Sequence, residues 1–360
     1  MKALHAWAAA GVVGGAMALS APAQAACADN WKDCAGQPWV DGKVMETPLG
    51  SKWWPHPIWG EGDEAGSTNW YTKPEVVMRA LALVKQGNVM KIGHQYEAGM
   101  PLFGARKFSL RIPGTPTGGP FGATQLMYND EFLATEIGQV GTQFDGLGHI
   151  GVAVGDTQDK NSLRWYNGFT AAEMGSPYGL MKLGTEKLHP IIARGIMLDI
   201  AAARGVESME AGEVITMVDV NNALKRQGME GFQFMEGDAV VFRTGWEKYW
   251  IVDNATYNNG VPGIGMEVAR WLAEDVKAGV TGGDTWPLDA VCGQGTKCEV
   301  PPGCVFCVHT FLQTRHGIVN QENMKLKELA DAGVYLFAYV YTPVPIKGAT
   351  GSIGVPIAMW

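Results

Sequence analysis

The chain has 360 residues, 28 Lys plus Arg against 36 Asp plus Glu, and a net charge of −8; 46% of its residues are hydrophobic and 18% charged. That composition excludes a disordered chain and a polytopic membrane protein. The acidic balance argues against a nucleic-acid partner, because neutralising phosphate takes clustered Lys and Arg. With 48 glycines, about twice the usual share of roughly 7%, many tight turns and few long helices are expected.

Residues 1–25 read as a secretory signal peptide. Lys2 supplies the positive start, residues 6–19 are an apolar stretch too short to span a bilayer, and Ala23-Gln24-Ala25 is an A-x-A cleavage site. A periplasmic or secreted location follows, with no membrane partner. Export permits disulfides. The cysteines form an N-terminal pair, Cys27 and Cys34, and a cluster of Cys292, Cys298, Cys304 and Cys307. One Cys27–Cys34 bridge and two within the cluster, of open connectivity, are expected. Cys304-x-x-Cys307 lacks the second C-x-x-C of a zinc ribbon.

Residues 26–70 form a Trp/Pro-rich N-terminal arm carrying Trp31, Trp39, Trp53, Trp54, Trp59 and Trp70. These tryptophans suit core or interface packing, with a carbohydrate platform as the alternative. Residues 71–360 make the remaining domain. A helix should follow Thr72, with Thr72 and Glu75 as a capping box, Pro74 in the first turn, Val77, Leu81 and Val84 as the apolar stripe and Gly87 at its end. Further helices are predicted over 218–227, 266–277 (with Gly279 as C-cap) and 323–332. Short apolar runs at 195–200, 238–243 and 334–340 read as buried strands. Residues 253–263 read as a loop-like insertion. Strands and helices intermix, which favours an α/β or α+β domain.

No G-x-S-x-G elbow, Walker loop or G-x-G-x-x-G after a strand is present. The informative stretch runs from Gln139 through Gly141, Thr142, Gln143, Asp145, Gly146 and Gly148 to His149. If extended, it puts Gln139, Gln143 and Asp145 on one face, because their offsets are even. The glycines then allow His149 to fold back over the same pocket. Oxygen donors beside an imidazole suit a hard or borderline divalent cation. By spacing alone the signal is weak, and the stretch reads first as a polar turn around a satisfied core histidine. A second cluster holds His309, His316 and Glu322. There His309 follows an apolar strand-like run, and Glu322, just before the 323–332 helix, could simply complement a helix dipole.

These residues resemble the signature of the cyclase family of metal-dependent hydrolases, the group of bacterial kynurenine formamidase, isatin hydrolase and trans-dienelactone hydrolase. Its hallmark is H-x-G-T-H-x-D-x-P-x-H. Gly141-Thr142, Asp145 and His149 match in register, Gln139 and Gln143 stand where the two metal-binding histidines would be, and Leu147 replaces the proline. Other landmarks follow in order: Trp59-Gly60-Glu61-Gly62-Asp63 with Asn69, the run 237–246, Gly282-Gly283-Asp284-Thr285, Val308-His309, and Gln321-Glu322-Asn323. The resemblance covers residues 55–358.

It implies an α/β fold with a mixed, barrel-like β core and peripheral helices. It implies Gln139, Gln143, Asp145, His309 and Glu322 as metal ligands and His149 as the catalytic acid/base. With two glutamines for histidines, the expectation is one Zn2+ or Mn2+ ion held chiefly by Asp145, His309 and Glu322. The implied reaction opens a small cyclic amide or lactone, or cleaves an aryl formamide, with metal-activated water. A non-catalytic small-molecule-binding descendant is the alternative, and a homodimer or homotetramer is the expected assembly. Wall candidates are Trp59, Phe103, Phe121, Phe144 and Trp286. His94 is a secondary candidate, and His56, His189 and His316 are expected to be surface or structural.

Overall fold

Strands whose side chains are apolar in sequence without alternation have two dry faces to fill, and such runs form the centre of this fold. The computed structural model describes residues 53–360. The predicted signal peptide and the residues Cys27, Cys34, Trp31 and Trp39 lie outside them. Nine strands form one mixed sheet in the spatial order Val89–Lys91, Ile357–Met359, Leu336–Tyr341, Ile191–Asp199, Ala239–Arg243, Val280–Gly283, Val319–Glu322, Gln143–Asp145 and Gly351–Ile353. The four strands from Ile191–Asp199 to Val319–Glu322 are parallel, and the pairings outside them are antiparallel. The sheet curls into a half-barrel with helices at its periphery, as the resemblance implied.

Alternation along the central strands builds two cores. Met197, Val241 and Val319 face one side, with Tyr71, Val76, Phe144 and Tyr339. Ile196, Leu198, Val240 and Phe242 face the other, under Val220, Val268, Leu272 and Phe311 of the covering helices. Two landmarks of the sequence are structural clasps. Asp284 accepts hydrogen bonds from the Thr244 amide and hydroxyl and the Gly245 amide, at 2.7–2.8 Å, and so ties two strand ends together. Asp63 accepts from the Gly66 amide, Asn69 Nδ2 and the Tyr166 hydroxyl, each at 2.8 Å. That clasp fixes the 3-10 turn Gly66–Thr72.

The predicted strands are present; the helices differ in detail. The first is Pro74–Leu81. Thr72 makes no capping box, because its hydroxyl donates to the Asn69 carbonyl within the preceding turn. Its buried face is Val76 and Ala80, and Leu81 is exposed. The second helix is Met217–Arg226, closed by a capping box of Thr216 and Asp219. The third is α-helical over Met266–Arg270, continues as a π turn over Trp271–Val276 and ends on a left-handed Lys277. Gly279 is needed for a different reason: a Cβ there would lie 2.1 Å from the Tyr71 hydroxyl. The fourth shrinks to Lys327–Asp331, because left-handed Asn323 (φ 50°) turns the chain after the Val319–Glu322 strand and Met324 bridges to Gly93. Glu322 is therefore a strand residue and caps no helix. The 253–263 segment contains a short helix, Asn254–Asn258. The cluster cysteines pair as Cys292–Cys298 and Cys304–Cys307. No helix among the described residues is long and apolar enough to cross a membrane.

The closest approach inside the sheet is at Gly282, where a Cβ would meet the Gln321 carbonyl oxygen at 2.3 Å. Overpacking of this kind costs about 1–3 kcal/mol. Gly282→Ala is expected to lower the urea midpoint of unfolding clearly, whereas Gly99→Ala, with nothing within 4 Å of its Cβ, should leave it unchanged.

Candidate active site

The site is assembled by strand register. The Val319–Glu322 strand pairs antiparallel with Gln143–Asp145, setting Glu322 opposite Gln143 and Asn320 opposite Asp145. Because side chains alternate across a strand, these four project to one face. Phe144 and Gln321 project to the other; there Phe144 meets Tyr341 with ring centroids 5.0 Å apart and is core, not wall. The reading of Gln143 and Asp145 as neighbours on one face holds. Gln139 is not on the strand, which begins at Gln143. Gly141, at φ 62°, turns the chain, and Gln139 returns to donate from Nε2 to Asp145 Oδ1 at 2.8 Å.

His309 comes from a helix, Cys307–His309, that continues as a π turn; the run before it is not a strand. Its entry is set by left-handed Phe306 (φ 50°). Asp289 anchors it, accepting from the Val308 amide at 2.8 Å and the His309 amide at 3.1 Å while contacting His309 Nδ1. That contact directs Nε2 at the carboxylates, 2.9 Å from Glu322 Oε1 and 3.4 Å from Asp145 Oδ2. One ligand atom each from Asp145, His309 and Glu322 lies within 4.8 Å of the others, and all three residues are buried.

This is a costly arrangement without compensation, since buried charges need partners. Burial lowers the affinity of the His309 ring for a proton, but Asp289, Asp145 and Glu322 together hold its pKa well above the ordinary histidine range. Burial pushes the Asp145 carboxyl up, yet the charges and hydrogen bonds of His149, His309 and Gln139 keep it below the ordinary range. Glu322 is pushed up to about 7, first by burial and then by the charge of Asp145, against the hydrogen bonds of His309 and Gln143.

Four amides complete the shell. Gln143 and Asn320 each donate to Glu322 at 2.6 Å. Gln139 and, at 3.5 Å, Gln313 donate to Asp145. Gln139 and Gln143 thus lie beside the three charged residues with their NH2 ends turned to the carboxylates. The carbonyl oxygens of Gln313 and Asn320 are buried without a partner among the described residues. Two carboxylates, one imidazole and spare amide oxygens form a donor set that fits a divalent cation.

His149 stands at the rim, half-buried, with Nε2 3.9 Å from Asp145 Oδ1 and Nδ1 3.5 Å from Gln139 Nε2. Burial above all lowers its pKa; Asp145 opposes the shift, and His309 and Arg106 add to it. It is therefore a neutral imidazole at physiological pH, able to accept a proton. Arg106 donates to Gln139 Oε1 at 2.8 Å. Beside it runs an aromatic wall: Phe103 stacks on Trp286 at 4.0 Å, Trp286 meets Phe306, and Phe306 meets His309 at 5.7 Å. Of the other wall candidates, Trp59 packs on Trp70 at the core edge and Phe121 lies exposed on a hairpin. His94 stacks on Trp250 at 4.2 Å and lines a separate cavity with Glu247. His56 accepts from the Ile58 and Trp59 amides in a structural turn.

Residues 90–290 match the model of the family described as "Putative cyclase". The chain belongs to that family. The matched residues contain the 139–149 motif and stop short of His309 and Glu322, which the fold delivers to it. Among solved structures, a crystal structure of a novel cyclase is 26% identical, with a TM-score of 0.69, covering 84% of this chain and 98% of its own. Isatin hydrolase A from Ralstonia solanacearum is 17% identical at a TM-score of 0.53, covering 80% and 98%. Isatin hydrolase A from Labrenzia aggregata, bound to benzyl benzoate, is 19% identical at 0.51, covering 75% and 93%. At these identities the isatin hydrolases share the fold. No curated protein matches this chain.

Sequence reading missed Asp289, Asn320, Gln313, Arg106 and Phe306. The one available signal was Asp289, an ionisable residue in the apolar stretch between Trp286 and Val291. The contacts of the others depend on tertiary placement.

The crowded carboxylates give a pH dependence of stability once any cation is chelated away. An acid whose folded pKa is raised stabilises the fold only while protonated. The Glu322 contribution is thus complete below its ordinary value of 4.5 and lost as pH rises to about 7. A Glu322→Gln variant has nothing to ionise there. Urea melts of chelator-treated protein are expected to show the wild type losing on the order of 3 kcal/mol relative to this variant between about pH 4 and pH 8.

Proposed function

We propose that the protein is a metal-dependent hydrolase that opens a small cyclic amide or lactone, in an oxidising periplasmic or extracellular compartment. The observation that carries this reading is the buried Asp145–His309–Glu322 cluster with a neutral His149 at its rim and an aromatic wall beside it. A single divalent ion, Zn2+ or Mn2+, would be held by these three residues, with Gln139 or Gln143 supplying a neutral oxygen if its amide turns over. Bound there, it supplies Lewis acidity toward a carbonyl oxygen and toward water.

The residues of the chain do the rest. Asp289 fixes the His309 ring so that Nε2 is presented to the site, a supporting contact of the kind typically worth 10- to 100-fold in metal affinity. The Phe103–Trp286–Phe306 wall excludes water and offers a flat apolar face to a ring-shaped substrate. Buried Trp286 Nε1 has no partner among the described residues and could donate to a substrate oxygen. His149 accepts the proton of the attacking water at an imidazole nitrogen and returns it to the departing nitrogen or oxygen. Such general acid–base help contributes about 10²–10⁴ in rate. The likeness of fold to isatin hydrolases, one of them bound to the product analogue thioisatinate, favours a ring substrate over an aryl formamide, and the replacement of the two histidines by Gln139 and Gln143 moves away from the formamidase pattern toward a lactone or ester.

Hydrolysis of isatin-like lactams, lactones and aryl formamides should be assayed with and without chelator. Turnover of a ring substrate, abolished by chelator and restored by Zn2+ or Mn2+, is expected. His149→Asn should lower kcat by about 10²–10⁴ with metal content unchanged. A second reading has its own support: the glutamine amides already satisfy both carboxylates in the fold. Binding of such compounds by chelated protein, without turnover under any metal, would establish the non-catalytic descendant instead.

A further inference from the structure

A second cleft, of about 990 Å³, opens between the edge strand Val89–Lys91, the 3-10 turn Trp246–Tyr249 and the start of the helix Lys327–Asp331. That is the size of a small-molecule pocket. No residue of the metal centre, of its aromatic wall or of the 139–149 motif lines it.

Its walls carry polar groups that the fold itself does not use. His94 and Glu247 line the cleft and are only 7% and 8% exposed. Neither His94 Nε2 nor Glu247 Oε1 has a hydrogen-bond partner among the described residues. Arg243 Nε stops 3.8 Å short of Glu247 Oε1, and its guanidinium is engaged by Asp199 at 2.8 Å. Buried polar atoms left in this state are uncommon and call for a reason. Both side chains are also held in place. The His94 ring stacks on Trp250 at 4.2 Å and 10°, while its amide donates to Thr142 Oγ1 at 2.8 Å. The other Glu247 oxygen accepts from the Leu326 amide at 3.0 Å. At the rim, Ile251 has a φ of 65°, a left-handed conformation that costs a β-branched residue energy. Asn254 holds it there, accepting from the Ile251 amide at 3.0 Å and donating to the Gly99 carbonyl at 2.9 Å.

The chemistry of the lining selects the occupant. Lys91, Lys248, Lys325 and Lys327 stand around the cleft against the acids Glu97 and Glu328. Glu247 is pushed up to about 8, first by burial and then by the charge of Asp284 against that of Arg243. At neutral pH its carboxyl therefore keeps a proton and can donate it to a hydrogen bond. Burial, then Lys325, lowers His94 to about 3, so the imidazole is neutral and carries one N–H. An anion meets donors and positive charge here, and a cation meets like charge. The lip is apolar: Val89, Ile251 and Val252 are 61%, 42% and 82% exposed.

We propose that this cleft is a second ligand site for a small organic acid, its carboxylate at His94, Glu247 and Lys325 and its hydrocarbon body against Val89, Ile251 and Val252. The inference does not depend on the reaction proposed for the metal centre.

NMR titration of the purified protein with hexanoate tests it, with chelator present so that no cation holds the carboxylate. Saturable binding is expected with a Kd of about 1 mM or tighter, and hexylamine and hexanol should bind at least about tenfold more weakly. His94→Phe keeps a ring on Trp250 but removes the nitrogen, and Lys325→Glu reverses a charge on a side chain 40% exposed. Each should weaken hexanoate at least about tenfold, and so should Val252→Asp at the lip, with circular dichroism unchanged. Glu247→Gln, which keeps a donor, should retain binding. Absence of saturable hexanoate binding up to about 20 mM would overturn the proposal. So would binding that Lys325→Glu and Val252→Asp both leave unchanged, which would seat the acid elsewhere, or hexylamine binding as tightly as hexanoate.

Discussion

Asp145 and Glu322 share one dry pocket, and like charges so placed are tolerated only if positive charge is held between them. In the fold His309 supplies it, fixed by Asp289 from behind and reaching both carboxylates with the same nitrogen. The rest of the site follows from this. The amides of Gln139, Gln143, Asn320 and Gln313 point their donors at the carboxylates because no other arrangement satisfies buried acceptors. The raised proton affinity of Glu322 and the lowered affinity of His149 come from the same burial acting on opposite kinds of group. A fold that keeps such a centre gives up stability for it, which is the usual mark of a functional site.

The curled sheet is what makes the centre possible. Its parallel middle is apolar on both faces and rigid, and the chemistry is placed at one side, where Val319–Glu322 meets Gln143–Asp145. A one-residue slip of that register would send Asp145 and Glu322 into the core and Phe144 into the site. Gly282 lets the neighbouring strand approach closely enough to hold the register, and the Asp284 clasp ties the strand ends nearby. Two disulfides, Cys292–Cys298 and Cys304–Cys307, fasten the irregular segment that carries Asp289 on one side and Phe306 and His309 on the other.

Much of this was legible in the sequence, for identifiable reasons. Buried strands announce themselves as unbroken apolar runs, and Gln143 and Asp145 could be paired because alternation on a strand is a local rule. His309 and Glu322 could be named only through the family pattern, since nothing local connects residues separated by 160 positions or more from the motif. Local rules failed where tertiary contacts overrode them. The Thr72 hydroxyl was taken by the turn before it, the fourth helix lost its first residues to the turn at Asn323 and the bridge at Met324, and Gly279 served a close contact instead of a cap. The hairpin of Phe108–Arg111 and Phe132–Thr135 was invisible because a hairpin with a dry face and one without share the same residue types.

The account rests on the buried triad being a cation site, and elemental analysis of the purified protein tests that most directly. One Zn2+ or Mn2+ per chain, lost in Asp145→Asn and His309→Ala while both variants remain folded by circular dichroism, is the expected result. Folded wild-type protein that holds no metal, even after incubation with Zn2+ or Mn2+ and removal of the excess, would contradict it. The triad would then be an ion-paired anchor of the sheet, with His309 kept protonated to hold two carboxylates together.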